Sequence, residues 1–161
     1  LFTADTAEQH PDILLVAVEK VPDAMVVGME RVCDRGIKNV RFIDTDAAAL
    51  PVIFESHEVD RIFINFCDPW PKKRDVKRRL TSPGFLAIYE SILKQDGEVC
   101  FKTDNRPLFE YSLETFENEG WELTEVTENL HDNGPVGVMT DYEKKFYEQG
   151  MPINRLVAKR G

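Results

Sequence analysis

The chain has 161 residues, of which 42% are hydrophobic and 30% charged, as is typical of one soluble globular domain with a sizeable core. No apolar run approaches the roughly 20 residues of a membrane-spanning helix, and the first residues do not show the basic-then-apolar pattern of a signal segment. The three cysteines form no CxxC pair or Cys/His cluster, so neither a disulfide framework nor a zinc site is indicated. We therefore expect a cytoplasmic domain in which Cys33, Cys67 and Cys100 are buried free thiols.

The formal charge of −9 argues, by itself, against a nucleic-acid partner. The charge is unevenly distributed, however. Residues 72–79 hold six cations and one anion, so the remainder of the chain carries −14. Because salt limits the reach of distant charge to about 8 Å, this basic run can still bind phosphate.

Helices and strands are expected to alternate through the first part of the chain. A helix should end at Pro11, and the nearly all-apolar run after it is typical of a strand buried on both faces. The following helix should end at Gly36, a common helix terminator. We expect helices over residues 3–10 and 22–35, and strands over residues 14–19, 39–46 and 61–68.

Proline and glycine delimit the later elements. Ser82 as the cap and Pro83 in the first turn predict a helix start, and Asp96-Gly97 predicts a turn after that helix. The predicted helices cover residues 83–94, a segment from Pro107 to Gly120, and residues 140–148, and the strands cover residues 98–103, 121–127 and 154–159, with a loop over 130–139.

Repeated strand–helix units predict an α/β fold with a parallel sheet covered by helices on both faces. Such sheets bind ligands at the carboxyl ends of their strands. Four predicted strands end in a carboxylate or directly before one, namely Glu19, Asp46, Asp68 and Asp104. The sequence therefore predicts a polar ligand site at this edge of the sheet.

The first two of these acids have both a binding and a structural interpretation. Glu19, at a strand end in a nucleotide-binding sheet, would accept hydrogen bonds from ribose hydroxyls. Asp46, followed by the small Ala47, could accept from an adenine amino group and leave room for the ring. The structural alternative is a solvated strand end for Glu19 and a helix cap for Asp46, and for each residue alone it is favoured.

The segment around Asp68 differs in kind from a plain strand end. Pro69 and Pro71 flank Trp70, and proline fixes φ, so the loop should be stiff. The aromatic ring could stack on a base, and the carboxylate could stabilise a developing positive charge. The alternative for this loop is a structural turn with a core tryptophan. The basic run that follows could be a solvated helix face, but its place directly after the loop favours contact with RNA.

Two further polar segments have local explanations as well as functional ones. Residues 102–106 crowd polar side chains at a buried strand end, which suggests a site, although they could also cap the helix at Pro107. Thr140 and Glu143 have the spacing of a capping box, which is a sufficient structural account by itself.

Taken together, these segments resemble the bacterial-type tRNA (guanine-N7-)-methyltransferases, the TrmB family. The resemblance covers about residues 14–159, and the motifs of the family occur here in the same order and with the same spacing. They are Asn-Phe-Cys-Asp-Pro-Trp-Pro-Lys-Lys-Arg at 65–74, Lys-Arg-Arg-Leu-Thr at 77–81, Phe-Lys-Thr-Asp-Asn at 101–105 and Thr-Asp-Tyr-Glu-Lys-Lys-Phe at 140–146.

The resemblance implies a Rossmann-like, class I S-adenosylmethionine-dependent methyltransferase that transfers a methyl group to N7 of a guanine in the tRNA variable loop, without a metal. The implied cofactor-binding residues are Glu19, Asp46, Ala47 and Asp68, the last also as catalytic carboxylate. Those implied to bind the substrate are Lys72, Asp104, Thr140, Asp141, Tyr142 and Glu143, and those implied to touch RNA are Arg74, Lys77, Arg78 and Arg79.

The family also has a first strand and a glycine-rich loop beside the methionine part of the cofactor. Residues 1–10 look like the helix that follows this loop, so residues 1–161 are expected to form a single, N-terminally incomplete methyltransferase domain. The expected partners are tRNA and S-adenosylmethionine, with no membrane, for a monomer or homodimer. The alternatives are a non-catalytic RNA-binding scaffold and an exocyclic-amine methyltransferase, against which Trp70-Pro71 argues.

Overall fold

The computed structural model describes residues 2–160 and divides the chain into two compact units. The first unit comprises the chain up to Ala47 together with Val136–Lys145. The second comprises Ala48–Pro135 together with the chain from Phe146 onward. The assignment of residues 1–161 to a single domain stays a prediction.

The first unit contains a two-stranded parallel sheet and the helices packed on it. Its elements are α1 (Phe2–Gln9), β1 (Leu15–Glu19), α2 (Pro22–Asp34) and β2 (Val40–Asp44). Leu15 faces Val40 and Glu19 faces Asp44, so both strands end at the same edge. Small and branched side chains from α1, α2 and β2 form the core, which comprises Ala4, Ala7, Val32 and Val40.

The side chain of Asn39 joins the end of α1 to the start of β2. Its amide nitrogen lies 2.9 Å from the carbonyl oxygens of Ala7 and His10, and 2.8 Å from that of Ile13. The last carbonyls of a helix have no partner within the helix. Ala7 is the one of the three that lies in α1, and the two hydrogens of the Asn39 amide, shared among the three oxygens, link this helix end to the residue before β2.

The second unit contains a mixed four-stranded sheet. Its elements are α3 (Leu50–Ile53), β3 (Val59–Asn65), α4 (Pro83–Ile92), β4 (Leu93–Thr103), α5 (Arg106–Asn118), β5 (Glu122–Thr127) and β6 (Asn154–Lys159). The strand order is β3-β4-β6-β5, in which β3 and β4 are parallel and β6 is antiparallel to both of its neighbours. The expectation of a parallel sheet therefore holds for β1–β2 and β3–β4, and β5 runs in the same direction as β3 and β4. It was wrong for β6 alone, which lies between β4 and β5 and is antiparallel to both.

Three shorter segments complete the chain. α6 (Asp141–Glu148) follows the loop predicted over residues 130–139, and the division between the units passes through it after Lys145. Short 3-10 segments cover Ala47–Ala49 and Lys73–Arg78. Among the described residues, no helix combines the length and the apolarity that crossing a membrane requires.

The boundary between α4 and β4 differs from the prediction. The helix ends at Ile92 and the strand begins at once with Leu93, so the predicted turn at Asp96-Gly97 lies inside the strand. The pairing with β3 shifts there. The partner of β3 moves from Leu93 at Val59 to Glu98 at Arg61, and a Cβ on Gly97 would lie 2.8 Å from the carbonyl oxygen of Lys94. The glycine therefore lies in an irregular stretch of the strand that leaves no room for a side chain.

Two local predictions also need correction. Ser82 occupies the N-cap position of α4, but its hydroxyl makes no cap and instead donates to the carbonyl of Lys77.

All three cysteines are free thiols, as predicted, but Cys33 is exposed and Cys67 half-buried, so only Cys100 is buried. Burial raises the pKa of the Cys67 thiol to about 12 and that of Cys100 to about 11, so both stay protonated at neutral pH.

Candidate active site

The loop that follows β3 has a strained backbone on both sides of Asp68. Phe66 and Trp70 are not glycines, yet their φ angles are +55° and +43°. Such left-handed positions cost about 1–3 kcal/mol each and persist only where the surrounding structure enforces them. The exposed Asp68 stands between them, and strain of this kind is common at functional sites.

Contacts at the start of this loop hold it against the sheet. The backbone N–H of Phe66 donates to the carbonyl of Lys102 at 2.9 Å, which extends the pairing of β3 with β4 by one residue. The Phe66 ring stacks on Phe146, with ring centroids 6.2 Å apart. These contacts are consistent with the predicted stiff loop.

The strand ends differ from the prediction. β3 ends at Asn65 and β2 at Asp44, so Asp68 and Asp46 lie beyond the strands and not at their last residues.

The polar segment after β4 lies at the same edge of the sheet. Asn65 is paired with Lys102 in register, so the residues that follow β3 and β4 leave the sheet side by side. Asn105 caps α5, because its side-chain oxygen accepts from the N–H of Leu108 at 2.8 Å. The capping role considered for this segment belongs to Asn105, while Asp104 is exposed.

The basic run has an exposed and a half-buried part. The side chains of Arg74 and Arg78 are 76% and 66% exposed, and their contacts with Asp75 are long, at 3.9 and 3.8 Å. Exposed pairs of this kind contribute little, so both guanidinium groups remain available to a partner. The guanidinium carbon of Arg78 lies 5.1 Å from the centroid of the Trp70 ring, within the range of a cation–π contact. Arg79 is half-buried.

In the first unit, the predicted cofactor residues follow the two parallel strands. Glu19 is half-buried, and its Oε1 accepts from the N–H of Val21 at 3.0 Å, which shapes the turn into α2. Asp46 and Ala47 follow β2 at the same edge, and Ala47 opens the 3-10 segment. The helix cap proposed for Asp46 and the binding role implied for all three remain predictions.

The segment before and within α6 combines a cap with a buried acid. The hydroxyl of Thr140 accepts from the N–H of Glu143 at 2.9 Å, so the predicted capping interaction is confirmed. Glu143 is fully buried, whereas the side chain of Tyr142 is largely exposed. Asp141 pairs with Arg31 of α2 at 2.5 Å, and this hydrogen bond holds the pKa of the Asp141 carboxyl below its usual range.

We expect Arg31→Ala to raise the lowered pKa of Asp141, because the hydrogen-bonding cation that contributes most to the lowering is lost. The lowered pKa stabilises the fold above the unfolded-state pKa, and this contribution is lost as pH falls through the folded-state pKa. Both side chains are more than one-third exposed, so the effect on stability should be small and screened by salt. A carboxyl-carbon NMR titration measures the shift. Arg35→Ala, which removes the partner of Asp5, should leave Asp141 unchanged, and an unmoved Asp141 in Arg31→Ala would contradict the assignment.

Each unit thus holds a subset of the predicted site. The first contains Glu19, Asp46, Ala47, Thr140, Asp141, Tyr142 and Glu143, and the second contains Asp68, Lys72, Asp104 and the basic run. Sequence patterns did not indicate the left-handed backbone conformation of Phe66, nor that Arg79 is half-buried while Arg74 and Arg78 are exposed. Within residues 2–160, no three His, Cys, Asp or Glu side chains are grouped as a metal ion would require.

Solved structures with a similar fold include methyltransferases. A precorrin-6y C5,15-methyltransferase from Geobacter metallireducens superposes with a TM-score of 0.69 at 14% identity, over 99% of this chain and 73% of that one. A SAM-dependent methyltransferase from Aquifex aeolicus gives a TM-score of 0.59 at 16% identity, over 91% and 68%. The fold is that of the Rossmann-like, S-adenosylmethionine-dependent methyltransferases.

Sequence comparison narrows this class. A family model described as "Putative methyltransferase" matches residues 1–156. A tRNA (guanine-N(7)-)-methyltransferase of Macrococcus caseolyticus is 45% identical over 98% of this chain and 76% of its own length. One from Bacillus velezensis is 46% identical over 96% and 71%. The chain belongs to the tRNA (guanine-N7-)-methyltransferase family.

Proposed function

We propose that this protein transfers a methyl group from S-adenosylmethionine to N7 of a guanine in the tRNA variable loop and so forms 7-methylguanosine. Relatives with this named activity are about 45% identical over nearly the whole chain. The structural observation that supports the proposal best is the strained loop that presents Asp68 directly before the basic run. A scaffold without activity would not need such a loop.

The chemistry requires little from the protein beyond positioning. Guanine N7 has an in-plane lone pair and attacks the methyl carbon directly, so no general base is needed. S-adenosylmethionine, when bound, supplies that methyl group on a sulfonium, and the electron pair of the broken carbon–sulfur bond returns to sulfur. Because reaction requires an in-line approach, holding the two partners in line supplies much of the rate enhancement.

Asp68 carries the charge that the proposed reaction calls for. Methylation at N7 leaves the guanine ring positively charged, and a fixed carboxylate stabilises that charge as it develops. Asp68 is exposed and follows β3, and Asp104 and Lys72 lie in the same unit as further candidates for contact with the nucleotide. Glu19, Asp46 and Ala47 of the first unit are the candidates for holding the ribose and adenine.

The basic run supplies the contact with RNA in this proposal. N7 lies on the major-groove edge of guanine, so the protein must reach that edge in a folded tRNA. Arg74, Lys77 and Arg78 are exposed cations that could contact phosphates beside it. Affinity from such contacts should fall steeply with salt.

A tRNA transcript that carries 7-deazaguanine at the target position tests the proposal. This base lacks only the N7 nitrogen, so we expect the protein to bind this RNA but transfer no methyl group to it. An unmodified transcript in the same assay should be methylated. Transfer to the 7-deaza transcript would instead indicate an exocyclic amine, and tRNA binding without transfer to either transcript would favour the scaffold.

A further inference from the structure

Arg79 makes contacts unlike those of the other cations in the basic run. Its Nε lies 3.0 Å from the carbonyl oxygen of Pro69 and 3.2 Å from that of Trp70, and its Nη2 lies 3.2 Å from the Trp70 oxygen. Its guanidinium carbon also lies 4.4 Å from the centroid of the Tyr111 ring. The group is half-buried and points at the loop, whereas Arg74 and Arg78 are largely exposed.

The two carbonyls that Arg79 contacts belong to the strained part of the loop. Trp70 has a φ of +43°, a conformation that a bulky residue rarely adopts. Pro69 and Pro71 have no N–H, so the loop has few backbone donors of its own. Hydrogen bonds from a charged donor are stronger than neutral ones. Those from Arg79 therefore offset the cost of the strained backbone after Asp68 and hold the loop in place.

The backbone around Arg79 is itself anchored in the core. The buried hydroxyls of Thr81 and Ser112 lie 2.7 Å apart, which ties the segment to α5. The buried Tyr89 of α4 donates to the carbonyl of Leu80 at 2.7 Å. Because Tyr111, under the guanidinium, precedes Ser112 on α5, the helix that anchors the segment also packs against the side chain.

We propose that Arg79 is a positioning residue, which sets the geometry of Asp68 by holding the Pro69 and Trp70 carbonyls, and that it is not the phosphate contact the family resemblance implies. The inference rests on the proposed function. Lysine cannot replace arginine in this role. A planar guanidinium can donate to both carbonyls and lie over the Tyr111 ring at the same time, whereas a compact ammonium group cannot. A phosphate contact, by contrast, tolerates lysine.

The variant Arg79→Lys separates the two roles, with Arg74→Ala as the exposed control from the same run. We expect Arg79→Lys to lower kcat about 10- to 100-fold, the scale of a small misplacement of reacting groups, with an unchanged Kd for tRNA and an unchanged salt dependence. Arg74→Ala should weaken tRNA binding and reduce the slope of log K against log salt by about 1. Added guanidinium ion should partly restore kcat to Arg79→Ala and do nothing for Arg74→Ala.

A second readout does not depend on turnover. The chain has two tryptophans, and 5-fluorotryptophan labelling gives each a ¹⁹F resonance, which Trp70→Phe assigns. Arg79→Lys should shift or broaden the Trp70 resonance and leave that of the buried Trp121 unchanged, which also shows that the variant is folded. An unchanged Trp70 resonance with normal kcat in Arg79→Lys would overturn the proposal. An inactive wild type would count against the proposed function alone, since the resonance and the salt slope would still decide the role of Arg79.

Discussion

Asp68→Asn is expected to lower kcat by about 10²- to 10³-fold, the loss typical when one preorganised electrostatic group is removed from an active site. The amide keeps the shape of the side chain but carries no charge to stabilise the cationic guanine ring. Asp68 is exposed, so the fold should tolerate the change. The rate is best measured in a single turnover with tRNA and S-adenosylmethionine both saturating, so that chemistry is separated from product release.

The matched control is Asp96→Asn, which makes the same change at another exposed aspartate of the second unit. Its single-turnover rate should equal that of the wild type, and the thermal midpoints of all three proteins should agree closely. Wild-type turnover by Asp68→Asn would remove Asp68 from the mechanism. A large fall in its thermal midpoint would show instead that the carboxylate stabilises the loop.

Glu19→Gln is expected to weaken S-adenosylmethionine binding about 10-fold or more, since a hydrogen bond to a charged acceptor contributes about 1.5–3 kcal/mol. Glutamine retains an oxygen that can accept from the Val21 N–H, so the turn into α2 should be preserved while the charge is lost. Glu19→Ala removes both and should bind more weakly still. Calorimetric titration of each variant with S-adenosylmethionine gives the dissociation constants directly.

Glu30→Gln, at an exposed position on α2 of the same unit, controls for the change in net charge. It should bind S-adenosylmethionine as the wild type does. If Glu19→Gln also bound normally, Glu19 would have only the structural role of accepting from Val21. The cofactor site would then have to be sought away from the end of β1.

Much of the fold could be predicted, because local signals such as helix-starting prolines indicate the same elements as the pattern of apolar residues. The apolar run before Glu19 and the proline at the start of α2 each mark an element that the structure contains within a residue or two. The boundary at Leu93 could not be predicted, because a glycine inside an irregular stretch of a strand and one in a turn before a strand look alike in sequence. The antiparallel direction of β6 is likewise set by pairing with β4 and β5, which are distant in sequence.

The residues of the candidate site can be named from the sequence and their roles stay predictions, whereas the geometry of the loop around Asp68 cannot be predicted from it. The order of strand-end carboxylates and the Pro-Trp-Pro segment are visible in the sequence, and they single out Asp68. The left-handed backbone at Phe66 is not, because no glycine marks it. The contact of Arg79 with Pro69 and Trp70 links residues nine and ten positions apart through a side chain, and within a run of similar cations the sequence gives no reason to separate it from Arg78.

The most direct test of the central claim is to locate the methyl group on tRNA that the wild-type protein has methylated with S-adenosylmethionine. Nuclease digestion followed by mass spectrometry gives both the modified nucleoside and the fragment that contains it. The account predicts 7-methylguanosine in the fragment from the variable loop. A methyl group on an exocyclic amine, on another base, or outside that fragment would contradict it.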